Sequence, residues 1–305
     1  MRGWTLFAAM SIIWGVPYLF IKIAVEGVSV PVLVLARTVV GAAVLLPFAL
    51  SGAARRSIRA HWKPLAVFAF FEMIAAWWLL SDAEQHLTSS TTGLLIAAAP
   101  ILAAVLERVT GGDRLGVKRV VGLGVGLAGV ALLAGPNLTG GSAWPITQVL
   151  LVAACYALAP WVAARHLADV PSLPMSAACL GFAAMVYVGP AAVTWPAQRP
   201  SGTVLLALAA LALICTALAF IVFFALIREV GPARALVFTY VNPAVALVAG
   251  VIVLNEPVTW WNVGGLVLIL GGCVLATRRS EQAAAAPVVV AERAPAATTR
   301  RDRPH

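Results

Sequence analysis

Residues 203–226 read TVLLALAALALICTALAFIVFFAL, a run of 24 residues without one charged side chain. A helix rises about 1.5 Å per residue and the hydrocarbon core of a bilayer is about 30 Å thick, so such a run can cross it. Nine further apolar runs lie at 4–24, 30–50, 64–81, 87–107, 117–135, 144–164, 174–195, 233–254 and 260–276. The sequence therefore predicts an all-α integral membrane protein with ten transmembrane helices.

The composition of the whole chain agrees with this fold. Hydrophobic residues make up 62% and charged residues 11%, with a mean hydropathy of +0.96, whereas a soluble domain carries about 25% charged residues. The net charge of +9 raises the question of a nucleic-acid partner, but the basic residues form no continuous basic face. We therefore expect the lipid bilayer, and no nucleic acid, as the macromolecular surroundings.

The basic residues instead indicate which ends of the helices face the cytoplasm, where Lys-rich and Arg-rich loops are retained. Fourteen lie on the side of the two termini: Arg2, Arg55, Arg56, Arg59, Lys63, Arg108, Arg114, Lys118, Arg119, Arg165, Arg228, Arg234, Arg278 and Arg279. Only Lys22 and Arg199 lie on the other side, and we expect Lys22 to extend toward water. Both termini are therefore predicted in the cytoplasm, with the chain in an inner membrane. Trp77 lies near the outer end of its predicted helix, and we expect it in the outer headgroup region.

The chain repeats itself at an offset of 143 residues. The aligned pairs include Pro100 and Pro243, Asp113 and Glu256, Gly122 and Gly265, and Gly129 and Gly272. Each repeat, 1–138 and 139–279, holds five predicted helices, and an odd number makes the second repeat enter the membrane from the opposite side. Inverted repeats of this kind build many secondary transporters, with the substrate site near the midplane. Residues 280–305, rich in Ala, Pro, Thr and Arg, are predicted to form a disordered cytoplasmic tail.

Several short motifs occur in a definite order along the two repeats. They are Trp14-Gly15-Val16-Pro17-Tyr18 through Lys22, the helix of Arg37, Gly231-Pro232-Ala233-Arg234-Ala235, Tyr240-Val241-Asn242-Pro243, Leu254-Asn255-Glu256-Pro257, Gly264-Gly265 and Gly271-Gly272. Together they resemble the EamA-type members of the drug/metabolite transporter superfamily over about residues 4–279. The resemblance implies a central cavity and, usually, export of amino acids, metabolites or toxic compounds. Asp113 departs from the usual Gly-Glu pair, and we favour a structural role for it and for Glu256.

Two charged residues, Arg37 and Glu72, lie within predicted helices, where charges are costly and usually functional. Their distances from the outer helix ends are about 9 and 14 Å, so an ion pair between neighbouring helices is feasible. Two interpretations stay open. The pair could only hold two helices together, or Arg37 could attract an anionic substrate group while Glu72 changes its protonation or its partner.

Polar residues near three prolines are further candidates for a cavity lining. Ser11, Trp14 and Tyr18 form one stripe along the first helix, and Tyr240 and Asn242 lie on the ninth. The prolines, which interrupt backbone hydrogen bonding, are Pro17, Pro100 and Pro243. Paired interruptions in the two repeats point to a midplane site, although simple helix packing and kinking would give the same pattern.

The sequence thus predicts a secondary transporter that exports a small metabolite, amino acid or drug-like solute by alternating access, with protons as a candidate coupling ion. A uniporter or channel would share the fold. An enzyme is disfavoured because the four histidines are scattered, and HExxH, GxSxG and Walker A motifs are absent. The four cysteines show no CxxC spacing, so we expect no metal site and no cofactor. The substrate, and the choice between monomer and homodimer, stay open.

The predicted orientation can be tested by chemical labelling. Gln198→Cys should react with a membrane-impermeant maleimide in intact cells, because residues 196–202 face outward in this topology. Arg56→Cys should react only after the cells are opened, and tags at both termini should report from the cytoplasm. Labelling of Arg56→Cys in intact cells would show that the orientation is reversed.

Overall fold

A computed structural model of the chain describes residues 2–110, 116–139, 143–231 and 235–277. Within these ranges the regular structure is helical, and they contain no β-strand. Asp113 and the predicted tail at 280–305 lie outside the described residues, as do Arg114, Arg234, Arg278 and Arg279.

The described part of the first repeat contains nine α-helices. They are α1 (Arg2–Ile13), α2 (Pro17–Ala24), α3 (Val30–Ala49), α4 (Gly52–Ala60), α5 (Trp62–Ala69), α6 (Ala76–Ala83), α7 (Ser89–Ile96), α8 (Ala99–Val109) and α9 (Val117–Thr139). In the second repeat the described α-helices are α10 (Ala143–His166), α11 (Ser172–Val193), α12 (Gly202–Ala209), α13 (Ala219–Val230), α14 (Asn242–Leu254) and α15 (Trp260–Thr277).

Seven helical segments in the described ranges are long and apolar enough to cross a membrane. They are Arg2–Ala24, Val30–Ala49, Trp62–Ala83, Ser89–Val109, Ala143–His166, Ser172–Val193 and Gly202–Val230. Three shorter apolar helices, Val120–Gly135, Asn242–Leu254 and Trp260–Leu275, lie where the sequence predicts the remaining spans. The all-α, multi-span membrane fold is therefore confirmed, while the crossing of all ten helices stays a prediction.

The long segments are not regular α-helices throughout. Phe70–Ala75 joins α5 to α6 and Ala210–Leu218 joins α12 to α13, each as a π-helix. The two π-helices occupy equivalent positions, since Glu72 in the first aligns with Cys215 in the second at the offset of 143 residues.

Each of the three predicted prolines lies in the first turn of a new helical segment. Pro17 begins α2 after a break at 14–16, and Pro100 lies at the start of α8 after a break at 97–98. Pro243 lies at the start of α14, directly after the 3₁₀-helix Leu236–Tyr240. Proline suits the first helical turn because it lacks only an amide that would be unpaired there.

The helices pack in a pattern that follows the repeat. α3 packs on α11 and α9 on α15, which are equivalent helices of the two repeats, and α7 packs on α14, which belong to the equivalent fourth and ninth predicted spans. Other contacts between the repeats are reciprocal. α1 packs on α13 of the second repeat, and its counterpart α10 packs on α6 and the first π-helix of the first repeat. This arrangement is expected of two related five-helix halves around a shared pseudo-twofold axis.

The pair of α9 and α15 depends on glycine. A Cβ atom added at Gly272 would overlap the backbone of Gly126 and the carbonyl of Gly122, and one at Gly129 would overlap Ile269. Small residues let membrane helices approach closely enough for backbone contact. By contrast, a Cβ added at the neighbouring Gly271 would meet no atom within 4 Å.

This difference gives a matched pair of variants. Gly272→Ala should lower the stability of the detergent-purified protein by about 1–3 kcal/mol, because the two helix backbones must separate. Gly271→Ala should leave stability unchanged or slightly raised. Thermal unfolding followed by circular dichroism measures both, and equal stability of the two variants would contradict backbone contact at Gly272.

Candidate functional site

Arg37 is the centre of the candidate site. It lies in α3 with 6% of its surface exposed. Its Nε–H donates to Oγ1 of Thr216 at 2.7 Å, and its guanidinium carbon lies 3.7 Å from the ring centroid of Trp77. A guanidinium carries five N–H donors, and the other four have no acceptor among the residues that the structure describes. The group therefore keeps the capacity to bind an anion.

Thr216 is oriented by the second π-helix. Its hydroxyl donates to the carbonyl of Leu211, five residues earlier, at 2.8 Å. Because this bond uses the hydroxyl hydrogen, the oxygen is left to accept from Arg37. Thr216 was not among the predicted site residues, although a hydroxyl in the middle of the apolar run 203–226 was a signal that could have identified it.

Trp77 is buried, with 5% of its surface exposed, so it packs inside the helix bundle, and its level in the membrane stays a prediction. Its ring face is covered by the guanidinium of Arg37, an arrangement favoured by the ring quadrupole. Its side chain also lies near the hydroxyl of Tyr156 on α10. The sequence carries no signal for these contacts, because the three residues belong to different helices.

Glu72 lies in the first π-helix and is half-buried. It is within electrostatic range of Arg37 and Tyr156. The described residues contain no ion pair between Arg37 and Glu72, so the direct pairing that the sequence left open is not formed. The carboxylate instead stands near the cation without touching it, with some of its surface accessible.

A hydrogen bond from another helix accommodates the irregular backbone around Glu72. The hydroxyl of Tyr187 on α11 donates to the carbonyl of Ile74 at 2.6 Å. π-helical turns leave carbonyls without their usual partner and are frequent at functional sites. The turn and its partner together set the direction in which this part of the helix presents its side chains.

Ser11, Trp14 and Asn242 come together where α1 meets the start of α14. The hydroxyl of Ser11 donates to the carbonyl of Phe7 at 2.9 Å. With its amide oriented to satisfy both acceptors, Asn242 donates to the carbonyls of Ser11 at 3.2 Å and Phe238 at 3.1 Å. The ring of Trp14 lies 5.5 Å from that of Phe238. The breaks in the first and ninth helices are therefore in direct contact.

The two predicted tyrosines lie apart from this contact. Tyr18 is buried on α2, within electrostatic range of Arg37, and thus belongs with the Arg37 group. Tyr240 is partly buried and packs against a second hydrophobic cluster that includes Leu94 and Ile101. The predicted residues therefore form one group around Arg37 and another around Asn242, while Tyr240 packs against a different cluster, so they do not form one continuous lining.

Lys22 and Glu256 bind helix ends that the predicted topology places on the outer side. Nζ of Lys22 donates to the carbonyls of Glu84 at 2.6 Å and Leu87 at 2.8 Å, so the prediction that it extends toward water is wrong. Carbonyls at the end of a helix lack internal partners and attract cations. Glu256 accepts from the amides of Ser89 at 2.7 Å and Ser90 at 3.0 Å, and it caps the start of α7.

A cavity of about 470 Å³ lies between α8 and α10, at the end that the topology assigns to the cytoplasm. It is lined by Ala103, Leu106, Glu107, Thr110, Ala157, Pro160, Trp161, Ala164 and Arg165. None of the predicted site residues lines it. Trp161 donates through Nε1 to Oγ1 of Thr110 at 3.4 Å, and Arg165 lies over the Trp161 ring at 4.3 Å.

The chain matches the profile of the EamA-like transporter family twice, over residues 1–135 and 143–278. It belongs to the EamA-like transporter family. Its relatives include the uncharacterized transporter YvbV of Bacillus subtilis, 26% identical over 90% of this chain and 91% of that protein. The uncharacterized inner membrane transporter YedA of Escherichia coli is 29% identical over 79% of each chain.

A further relative in the EamA-like family is named a probable terminal-alkyne amino-acid exporter, from Streptantibioticus cattleyicolor. It is 29% identical over 88% of this chain and 90% of its own length. A solved protein crystal structure with 20% identity has the same fold, with a TM-score of 0.66 over 90% of this chain and 96% of that one. The family and these relatives are named as transporters, and the chain is a multi-pass membrane transporter.

Proposed function

We propose that this chain is a secondary transporter that exports a small solute, such as an amino acid, metabolite or drug-like compound, by alternating access between its two halves. Both termini lie in the cytoplasm in this proposal, as the distribution of basic residues favours. The observation that carries the proposal is the buried guanidinium of Arg37, which has a hydroxyl and an aromatic ring as partners but no carboxylate.

A carboxylate on the substrate is the natural partner of Arg37. A cation–π contact contributes about 2 kcal/mol when desolvated, and one neutral hydrogen bond adds about 1 kcal/mol. Neither neutralises the charge, whereas a carboxylate binds guanidinium through two parallel hydrogen bonds. One relative is named an amino-acid exporter, and every free amino acid carries such a carboxylate.

Glu72 is suited to the other end of the same solute. Its carboxylate lies near Arg37 but is not paired with it, so the ammonium group of an amino acid bound to Arg37 has a partner within reach. A proton and this ammonium would compete for Glu72, since a protonated carboxyl no longer attracts a cation. Competition of this kind couples proton entry to solute exit, which is the exchange that an exporter requires.

The role of Arg37 is tested by comparison with an exposed arginine. Arg37→Ala should reduce uptake of radiolabelled neutral amino acids into inverted membrane vesicles at least about tenfold, equivalent to about 1.4 kcal/mol. Arg199→Ala removes a charge from an exposed loop, where solvent screens it, and should transport like the wild type. Equal transport by the two variants at matched amounts of folded protein would remove Arg37 from the site.

Glu72→Gln separates coupling from structure, because glutamine keeps the size and one acceptor oxygen but does not titrate. In proteoliposomes, flux driven by an imposed pH gradient should fall at least about tenfold, while exchange without a gradient survives in part. Glu26→Gln alters an exposed carboxylate and should behave as the wild type. An unchanged gradient response in Glu72→Gln would rule out this carboxylate as the coupling group.

A further inference from the structure

A second carboxyl, that of Glu84 at the end of α6, is fully buried, and neither of its oxygens has a hydrogen-bond partner among the residues that the structure describes. Native proteins rarely leave buried polar atoms unpartnered, and such atoms point to a bound group or a functional role. An ionised carboxylate in this position would be strongly disfavoured, because nothing donates to it. The surroundings of Glu84 therefore favour its protonated, neutral form.

The charged groups near Glu84 form their hydrogen bonds with other atoms and not with its carboxyl oxygens. Lys22 on α2 directs its ammonium to main-chain carbonyls, including that of Glu84 itself, and Glu256 after α14 is surrounded by donors from Ser89 and Ser90. Both lie within electrostatic range of Glu84. One cation thus faces two carboxyls, and the local charge balances only if one carboxyl is neutral.

The other titratable or polar groups on the neighbouring elements do not supply the missing charge. They are Tyr18 on α2, Asp82 on α6 itself, His86 in the connection to α7, Gln148 and Tyr156 on α10, and Arg37 on α3. Asp82 accepts from Nε2 of Gln148 at 2.7 Å, His86 is exposed and lies beside the carbonyl of Asp82, and Arg37 is engaged by Thr216 and Trp77. Glu256 accepts from several donors whereas Glu84 accepts from none in the described part of the chain, so Glu84 is the carboxyl favoured in its neutral form.

Two serine hydroxyls flank Glu84 along the chain and are also buried without a partner. Ser81 lies one helical turn earlier, on the same face of α6, and Ser89 lies at the start of α7. Neither hydroxyl donates to Glu84, so an ionised carboxylate would gain no hydrogen bond from them.

In the second repeat, the position that aligns with Glu84 carries no carboxyl. At the offset of 143 residues, Lys22 aligns with Arg165, but Glu84 aligns with Ile227. Arg165 is exposed beside the cavity between α8 and α10, whereas Lys22 binds the connection between α6 and α7. The basic residue is thus present at both ends of the molecule, and the buried carboxyl at the outer end alone.

We propose that Glu84 is a proton-binding site of the outer end, which holds a proton while that end is closed and releases it when Lys22 and Glu256 separate from the connection between α6 and α7. The proton is bound in the closed form and lost in the open one, so low external pH favours closure and rising pH removes that preference. This inference requires neither the proposed substrate nor coupling through Glu72.

Infrared spectroscopy of the purified full chain in lipid tests the proton directly, because a protonated carboxyl has a carbonyl stretch separate from that of a carboxylate. The Glu72→Gln variant serves as background. We expect it to retain a protonated-carboxyl band that disappears in Glu72→Gln/Glu84→Gln and persists in Glu72→Gln/Glu26→Gln. A band that Glu84→Gln leaves unchanged, or no such band in the background variant, would overturn the proposal.

Spin labels on two exposed outer positions, Gln85→Cys and Pro257→Cys, report closure without any substrate. The four native cysteines are buried, so labelling is directed to the new pair. With Glu84 present, the short-distance population should grow as pH falls, and with Glu84→Gln it should not depend on pH. An undiminished pH response in Glu84→Gln would overturn the proposal, whatever the outcome of the transport assays.

If Glu84→Gln does not insert into the membrane, a variant that keeps the carboxyl still tests the proposal. Glu84→Asp retains a titratable group one methylene shorter, and its protonated-carboxyl band should shift in position relative to the Glu72→Gln background. An unshifted band in Glu72→Gln/Glu84→Asp would assign the signal to another residue and contradict the proposal.

Discussion

The hydrocarbon core of a membrane offers no hydrogen-bond partners, and the helices and interhelical hydrogen bonds of this fold depend on that constraint. It forces the backbone into helices, and it requires a specific partner wherever a helix is interrupted. The irregular turn at Glu72 is accommodated by the hydroxyl of Tyr187, the end of α6 by the ammonium of Lys22, and the start of α7 by the carboxylate of Glu256. Each partner comes from a different part of the chain, so these bonds also hold the bundle together.

Because of the same constraint, polar groups that lack hydrogen-bond partners are informative about function. Four N–H groups of Arg37 and both oxygens of Glu84 have no partner in the described part of the chain, and Glu72 stands unpaired near Arg37. In a soluble protein, water would complete such groups at little cost. Within a membrane their retention indicates a ligand, an ion or a proton that binds during the working cycle.

The two repeats share a scaffold but not its chemistry. Equivalent helices pack on one another, and both repeats contain a π-helix at the same position. The aligned positions of Arg37, Glu72 and Glu84 are nevertheless occupied by Leu180, Cys215 and Ile227. The second repeat contributes neutral surroundings such as Thr216 and Tyr187. Duplication thus supplies the symmetry that alternating access needs, while the charges are concentrated in the first half.

The sequence by itself determined the all-α membrane fold, the order of the helices and the positions of their proline breaks. These are local properties: the length of an apolar run is compared with the thickness of a bilayer, and proline acts on its own turn. It also identified Arg37 and Glu72 as site candidates, since a charge in an apolar run is visible without a structure.

Only the tertiary structure decided which groups meet. The partners of Arg37 include Thr216, which is 179 residues away, and Lys22 reaches carbonyls 62 and 65 residues away. The sequence left a direct pair of Arg37 and Glu72 open, and the described residues do not form it; nor did the sequence indicate that Trp77 packs against Arg37. Such contacts depend on how far each helix is rotated about its axis. Packing between helices sets that rotation, and each π-helical turn changes it, so no pattern within a single segment could reveal them.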